Sequence, residues 1–207
     1  MAQLFSLHPQ NPQPRLLKQA VSLLRAGGIL ALPTDTSYAL VCQLDDKAAA
    51  EALRRIRALD DKRLLALICR DLSELGAYAR VDNAQFRLLK LGTPGPFTFI
   101  MEASKEVPRR LSHPKRKTIG LRVPDHKVAQ ALLALYGAPL LATTLILPEA
   151  TEPLNDAAEI ADQLSHQIAG VLEAGACPGR VSTVVDLTGG MPQVVRQGLG
   201  DPALLGL

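Results

Sequence analysis

Ile29-Leu30-Ala31-Leu32 is an unbroken apolar run, bounded by Gly27-Gly28 and by Pro33. A run this short, with no polar residue alternating through it, fits a strand covered on both faces. What precedes it has a different period. In Arg15–Ala26, residues Leu16, Leu17, Ala20, Val21 and Leu24 fall on one helical face, and Gly27-Gly28 stops the helix. The pattern repeats downstream. Asp46 can cap a helix over Lys47–Leu59, and Leu64–Cys69 follows as a second wholly apolar run. Amphipathic helices alternating with buried strands imply an α/β layered domain.

The remaining elements follow the same rules. Asp71-Leu72-Ser73-Glu74 resembles a capping box, and Asp82 can open a helix to Leu91. Phe97–Glu102 and Thr118–Val123 read as strands, His126–Tyr136 as a helix ended by Gly137, and Leu140–Leu147 as a strand. Asn155 or Asp156 opens a helix to Ile168, and Ala169–Glu173, Val181–Leu187 and Gln193–Arg196 are the last strands. Strands that crowd together late predict a mixed sheet with helices packed on it, not a purely parallel one. No repeat or long linker interrupts the chain. Its 207 residues, 47% hydrophobic, suit one domain over 1–207 with a sizeable core.

Several function classes are disfavoured. No apolar run approaches the roughly 20 residues that span a bilayer, and Met1–Gln10 lacks a basic-then-apolar signal pattern, so a cytoplasmic location is expected. Three cysteines, Cys42, Cys69 and Cys177, do not make a disulfide framework. The four histidines stand at no metal-ligand spacing, so no protein-bound metal is expected. The net charge of +3 is uneven: residues 148–207 hold eight acidic and two basic residues, leaving an excess of nine positive charges before them. Basic clusters at Arg54–Arg57 with Lys62-Arg63, and at Lys105–Lys117, suit phosphate-bearing partners. With 3% aromatics and no Trp, base-stacking platforms are a poor fit.

Neither G-x-x-x-x-G-K-[ST] nor G-x-S-x-G occurs, and no G-x-G-x-x-G follows a strand. Polar clusters instead stand at the ends of apolar strands: Pro33-Thr34-Asp35-Thr36-Ser37-Tyr38, Gly92–Pro96, Arg122 in Gly120–Pro124, Thr143-Thr144, Ser182-Thr183 and Arg196. Each alone has a plain structural reading as a turn, a strand former or an ion pair. Together they fit the strand-end ligand sites of open α/β sheets.

In order along the chain, these segments resemble the YrdC-like family of threonylcarbamoyl-adenylate synthases. Leu32–Leu40 resembles its Y-P-T-E-T-x-Y-G-L, and Thr93–Phe99 its W-P-G-P-x-T. Leu121–Pro124 resembles A-V-R-x-P, and Ser182–Asp186 with Arg196-Gln197-Gly198 resembles E-S-T-V-V-D and R-x-G. The wording of Cys69–Leu75 and Lys115–Gly120 is closest to the YciO branch. There are departures. The family's K-x-R-P appears as Arg55-Ile56-Arg57-Ala58, and its S-T-S-A-N as Ala142-Thr143-Thr144-Leu145-Ile146.

The resemblance implies an open, twisted mixed sheet with a concave basic face. It implies a nucleotidyltransferase reaction in which ATP, bicarbonate and L-threonine give threonylcarbamoyl-AMP and pyrophosphate for tRNA modification. Mg²⁺ would arrive with the ATP. By carry-over, Arg55, Arg57, Lys62, Thr118, Thr144 and Arg196 are expected to bind ATP. Thr34, Thr36, Arg122, Thr143 and Ser182 are expected to bind the amino acid. No residue is assigned as a nucleophile, because positioning and charge neutralisation carry such chemistry. Two other readings remain: a protein that binds tRNA or double-stranded RNA through its backbone, and a relative that binds nucleotide without turnover. Monomer and dimer are both open.

Overall fold

A computed structural model describes residues 1–60, 65–113 and 115–207. Its elements are β1 (Gln3–Ser6), α1 (Pro14–Arg25), β2 (Leu30–Leu32), β3 (Ala39–Gln43), α2 (Lys47–Ile56), β4 (Ala66–Ile68), α3 (Leu72–Tyr78), α4 (Asn83–Gly92), β5 (Phe97–Glu102), β6 (Thr118–Arg122), α5 (Lys127–Tyr136), β7 (Leu140–Thr144), α6 (Ala157–Gln163), β8 (Gly170–Glu173), β9 (Thr183–Asp186) and β10 (Gln193–Arg196). The helix starts follow the capping chemistry of the sequence. Asp46, Asp71, Asp82 and Asp156 each accept a hydrogen bond from the backbone N–H three residues on.

The ten strands form one sheet in the order β1-β8-β2-β3-β7-β4-β6-β5-β9-β10. Parallel pairs (β1/β8, β8/β2, β4/β6, β5/β9) mix with antiparallel ones. The expected mixed sheet is therefore observed. Helices cover its two faces unequally. On one face, α2, α3, α4 and α6 bury Leu53, Leu75, Leu89 and Ile160 against Leu40, Leu67, Leu121, Phe99 and Val185, in one core that spans the sheet. On the other, α1 and α5 pack together over Leu30, Leu32, Val41, Leu140 and Leu172, so they cover the β1-to-β7 half and reach β4 only at Ile68. The rest of that face, across β4, β6, β5, β9 and β10, carries no helix among the described residues. This leaves an open concave surface.

Some boundaries differ from the sequence reading, each for a local reason. α2 ends at Ile56, and Ala58 takes a positive φ of 48° that no helix accommodates. α6 ends at Gln163, although Leu164 and Ile168 stay buried in the turn that follows. β7 ends at Thr144, where the backbone N–H of Ile146 turns back onto Thr144 O. β1 and β3 were not expected from the sequence. β1 is an edge strand that buries only Phe5, and β3 is hidden behind the polar cluster that precedes it.

Candidate functional site

The uncovered half of the sheet forms a cleft of about 240 Å³. Its floor follows from strand periodicity. Side chains two apart share a face, so Gly120 and Arg122 of β6, Thr98 and Ile100 of β5, and Ala66 and Ile68 of β4 all point into the cleft. Phe97, Phe99, Ile119 and Leu121 point into the core. At the centre, Ala142, Ala66 and Gly120 are register partners across β7, β4 and β6. These small residues leave the floor flat. A Cβ on Gly120 would stand 3.3 Å from Ala66 Cβ and 3.4 Å from Thr98 Cγ2. Leu59, Leu65, Ile146 and Val184 complete an apolar wall.

Three arginines from distant parts of the chain line this cleft: Arg57 at the C-cap of α2, Arg122 at the end of β6, and Arg196 at the end of β10. Arg196 donates to Ser182 O from Nη2 at 2.9 Å and from Nε at 3.2 Å. Ser182 Oγ lies 2.8 Å from Thr98 Oγ1. Gly198 holds this corner together. Its N–H donates to Thr183 Oγ1 at 2.9 Å, and a Cβ there would lie 2.2 Å from Val181 O, so only glycine permits the approach.

Arg122 Nη2 donates to Asp35 Oδ1 at 2.5 Å, with side-chain exposures of 9% and 12%. Burial pulls the Arg122 guanidinium below its ordinary pKa, and the Asp35 carboxylate pushes the other way. Asp35 Oδ2 and Arg122 Nε are buried with no hydrogen-bond partner among the described residues. Near this pair, His126 is half-buried just before α5, and burial lowers its pKa from 6.5 against the pull of Asp35 and Asp125. The buried Cys177 thiol is pushed up to about 11, mainly by desolvation.

Arg57, Thr144, Arg196, Arg122, Thr143 and Ser182 thus meet on one cleft, although 139 positions separate Arg57 from Arg196. Four other expected site residues are placed elsewhere. Arg55 is exposed on a separate hollow with Glu51 and Arg54. Two residues along a helix turn a side chain about 200° away, so Arg55 and Arg57 do not share a face. Thr118 shares a strand face with Arg122 but sits four residues away, roughly 13 Å along the strand. It lines a neighbouring hollow with Arg80, Glu102 and Arg116. Thr34 and Thr36 are buried in the turn that carries Asp35, with their hydroxyls 3.1 Å apart, and they shape the turn instead of facing the cleft. Lys62 lies outside the described residues.

The sequence does not single out Thr98, which lines the cleft, or Asp35, the buried partner of Arg122. Asp35 was indistinguishable from a turn residue. Thr98 had a legible signal: it is the polar member of the alternation Phe97-Thr98-Phe99. The two departures from the family wording, Ala142 and Ile146, both line the cleft. No group of three or more His, Cys, Asp or Glu side chains suited to a metal ion occurs among the described residues. No helix among them is long and apolar enough to cross a membrane.

Known proteins share this fold. The chain is 50% identical over 201 residues to the protein YciO of Escherichia coli (strain K12), covering 97% of this chain and 98% of that one. The crystal structure of E. coli YciO superposes with a TM-score of 0.96, covering 99% of this chain and 100% of that one. Human threonylcarbamoyl-AMP synthase is 36% identical over 177 residues, 83% of this chain and 63% of that protein. Sua5 of P. abyssi, solved with L-threonine, has the same fold at a TM-score of 0.86 and 24% identity, covering 94% of this chain and 57% of that one. The Sua5/YciO/YrdC family model, described as "Telomere recombination", matches residues 22–198. That span runs from α1 past Arg196 and takes in every arginine of the cleft, so the chain belongs to the Sua5/YciO/YrdC family.

Proposed function

We propose that the cleft binds ATP and L-threonine and joins them, with bicarbonate, into threonylcarbamoyl-AMP, releasing pyrophosphate. The observation that supports this most is the convergence of Arg57, Arg122 and Arg196 with the hydroxyls of Thr98, Thr144 and Ser182 over a flat apolar floor. The relatives also include threonylcarbamoyl-AMP synthases.

The chemistry needs positioned charge more than a protein nucleophile. Threonine nitrogen adds to the carbon of bicarbonate with loss of water, giving an N-carboxylate. One of its oxygens forms a bond to the α-phosphorus of ATP as the bond from that phosphorus to the β-phosphate oxygen breaks. Negative charge moves onto pyrophosphate, and Arg57 and Arg196 are the cations that stabilise it. Arg122 takes the amino-acid carboxylate, and the small residues Ala66, Gly120 and Ala142 leave room for a planar base. A second hollow shares Arg57, Leu59 and Ile146 with the cleft. A divalent ion would be held by the phosphates of ATP, since the described part of the chain offers no cage.

Pyrophosphate release in the presence of ATP, bicarbonate and L-threonine tests this reading. Activity is expected to need all three components. Arg57→Ala and Arg196→Ala should each weaken ATP binding about 10- to 100-fold, the range for a charged hydrogen bond. No pyrophosphate from the wild type would overturn turnover, and unchanged ATP affinity in both variants would overturn the nucleotide site.

One surface feature favours a second reading. Lys105, Arg109, Arg110, Lys115, Arg116 and Lys117 are all exposed in the segment between β5 and β6, as a contact for RNA backbone would require. RNA binding through them should fall steeply between 50 and 200 mM salt, whereas ATP held in the cleft should respond less.

A further inference from the structure

Outside the cleft, we propose that the protein has a second binding site, which takes a small aliphatic amine in its ammonium form. The site is a hollow of about 320 Å³ lined by Tyr78, Tyr136 and Asp45. It stands independently of the reading of the cleft given above.

Strand β3 separates the two places. Ala39 at its start pairs with Thr144 and lines the cleft, whereas Gln43 at its end pairs with Leu140 and lines the hollow, roughly 13 Å away along the strand. Helices from both faces of the sheet end here, α3 at Tyr78 and α5 at Tyr136. The chain has three tyrosines, and two of them meet at this hollow, while Tyr38 is buried elsewhere. Both rings are half-buried, and among the described residues the stacked ring pair is Phe97 on Phe99, so Tyr78 and Tyr136 keep ring surface free for a ligand. The Tyr136 hydroxyl donates to Gln43 Oε1 at 3.1 Å, which fixes that ring. An alkyl chain packs well against such rings, and their faces attract a cation.

Negative charge converges on the same place. Asp45 is exposed and is in no salt bridge among the described residues. Burial is the main cause that raises the pKa of Tyr78 and of Tyr136, and the Asp45 carboxylate pushes both the same way, so it acts on both rings. Neither α3 nor α5 has a basic residue in its last turn, so the partial negative charge of their C-terminal carbonyls has no cation of its own helix to answer it. Two arginines stand nearby without lining the hollow. Arg25 pulls the Tyr136 pKa down, and Arg110 is held by its Nη2 donating to Leu44 O at 2.9 Å. Asp46 accepts the Ala49 N–H as the cap of α2. That leaves Asp45 as the free carboxylate. A hollow of this size suits a small molecule, and two rings with a carboxylate favour an alkylammonium over a neutral alcohol of the same shape.

The chain has no tryptophan, so its tyrosine fluorescence reports on this hollow. The test titrates n-butylammonium chloride into the whole chain at constant ionic strength, with 1-butanol, its neutral counterpart, in parallel. The amine should give a saturable change and bind at least fivefold more tightly than the alcohol. Asp45→Asn should bring that ratio close to one while ATP affinity and the melting temperature stay unchanged. Tyr78→Leu, which keeps apolar bulk, should weaken the amine at least threefold. Saturating ATP should leave amine binding as it was. A response that stays linear in amine concentration, or equal affinity of the wild type for amine and alcohol, would overturn the site, and neither measurement needs a variant. So would a folded Asp45→Asn protein with an unchanged ratio. Displacement of the amine by ATP would also overturn it, because the amine would then sit in the cleft. Failure of the wild type to bind ATP would bring down the reading of the cleft and leave this site standing.

Discussion

The buried pair Asp35–Arg122 makes a stability prediction that needs no substrate. Both side chains are about nine-tenths buried, and a single short hydrogen bond joins them. Removing one member of such a pair leaves a charge without compensation in a poorly solvated place, at a cost of about 3–5 kcal/mol. Arg122→Met keeps most of the apolar stem and removes the guanidinium with its charge and donors, so it strands the Asp35 carboxylate. For a domain near 200 residues, each kcal/mol shifts the melting temperature by about 2–4 °C, so Arg122→Met should melt about 6–20 °C lower. Asp35→Asn should destabilise in the same direction. The double variant should cost at least about 2 kcal/mol less than the two single costs combined, since the second change removes the charge that the first left stranded. Urea denaturation of the four proteins gives all the terms. If Arg122→Met costs under about 1 kcal/mol, or if the two single effects add within about 0.5 kcal/mol, the charges are solvated or uncoupled and the argument from burial fails.

Three further outcomes are expected. Gly120→Val should abolish ATP binding with little loss of fold, because its methyl groups would rise from the flat floor where even a Cβ meets Ala66 at 3.3 Å; a titration showing normal affinity would move the base elsewhere. Burial lowers the His126 pKa in the folded protein, so the unfolded chain binds more protons as pH falls below the ordinary value of 6.5. Stability is fully present above that pH and is lost as pH drops toward the folded value, and His126→Gln should flatten this acid limb in melting experiments between pH 7 and 5. Combining Ala142→Ser with Ile146→Asn should raise pyrophosphate release without tightening ATP binding, up to about a hundredfold if the new groups orient substrate; both positions line the cleft, so a stable variant with no gain would mean that they face no reacting group.

The helix caps were legible because capping is local chemistry: Asp46, Asp71, Asp82 and Asp156 act within three residues of themselves. The mixed α/β class was legible from the change of period between the helix of Leu16–Leu24 and the apolar run Ile29–Leu32. The strand order was not, because nothing near β4 indicates that it sits between β6 and β7. The open half of one face is a consequence of where α1 and α5 land, and no single segment encodes it. At the site, Arg122 and Arg196 stood out as charges closing apolar strands. Arg55 and Arg57 are equivalent as residue types, and the helical turn between them places them on different hollows. Asp35 looked like one more turn residue, since its partner is 87 positions away.

The central claim is that this cleft is where the carbon of bicarbonate, the amine of threonine and the α-phosphate of ATP meet. Mass spectrometry with ¹³C-bicarbonate tests it most directly. The purified protein, given ATP, L-threonine and labelled bicarbonate, should yield an adenylate carrying one labelled carbon. The product should need threonine and should be strongly reduced in Arg57→Ala and Arg122→Met proteins that remain folded. Labelled adenylate formed undiminished by both variants, or no labelled adenylate from the wild type while ATP is bound, would contradict the account.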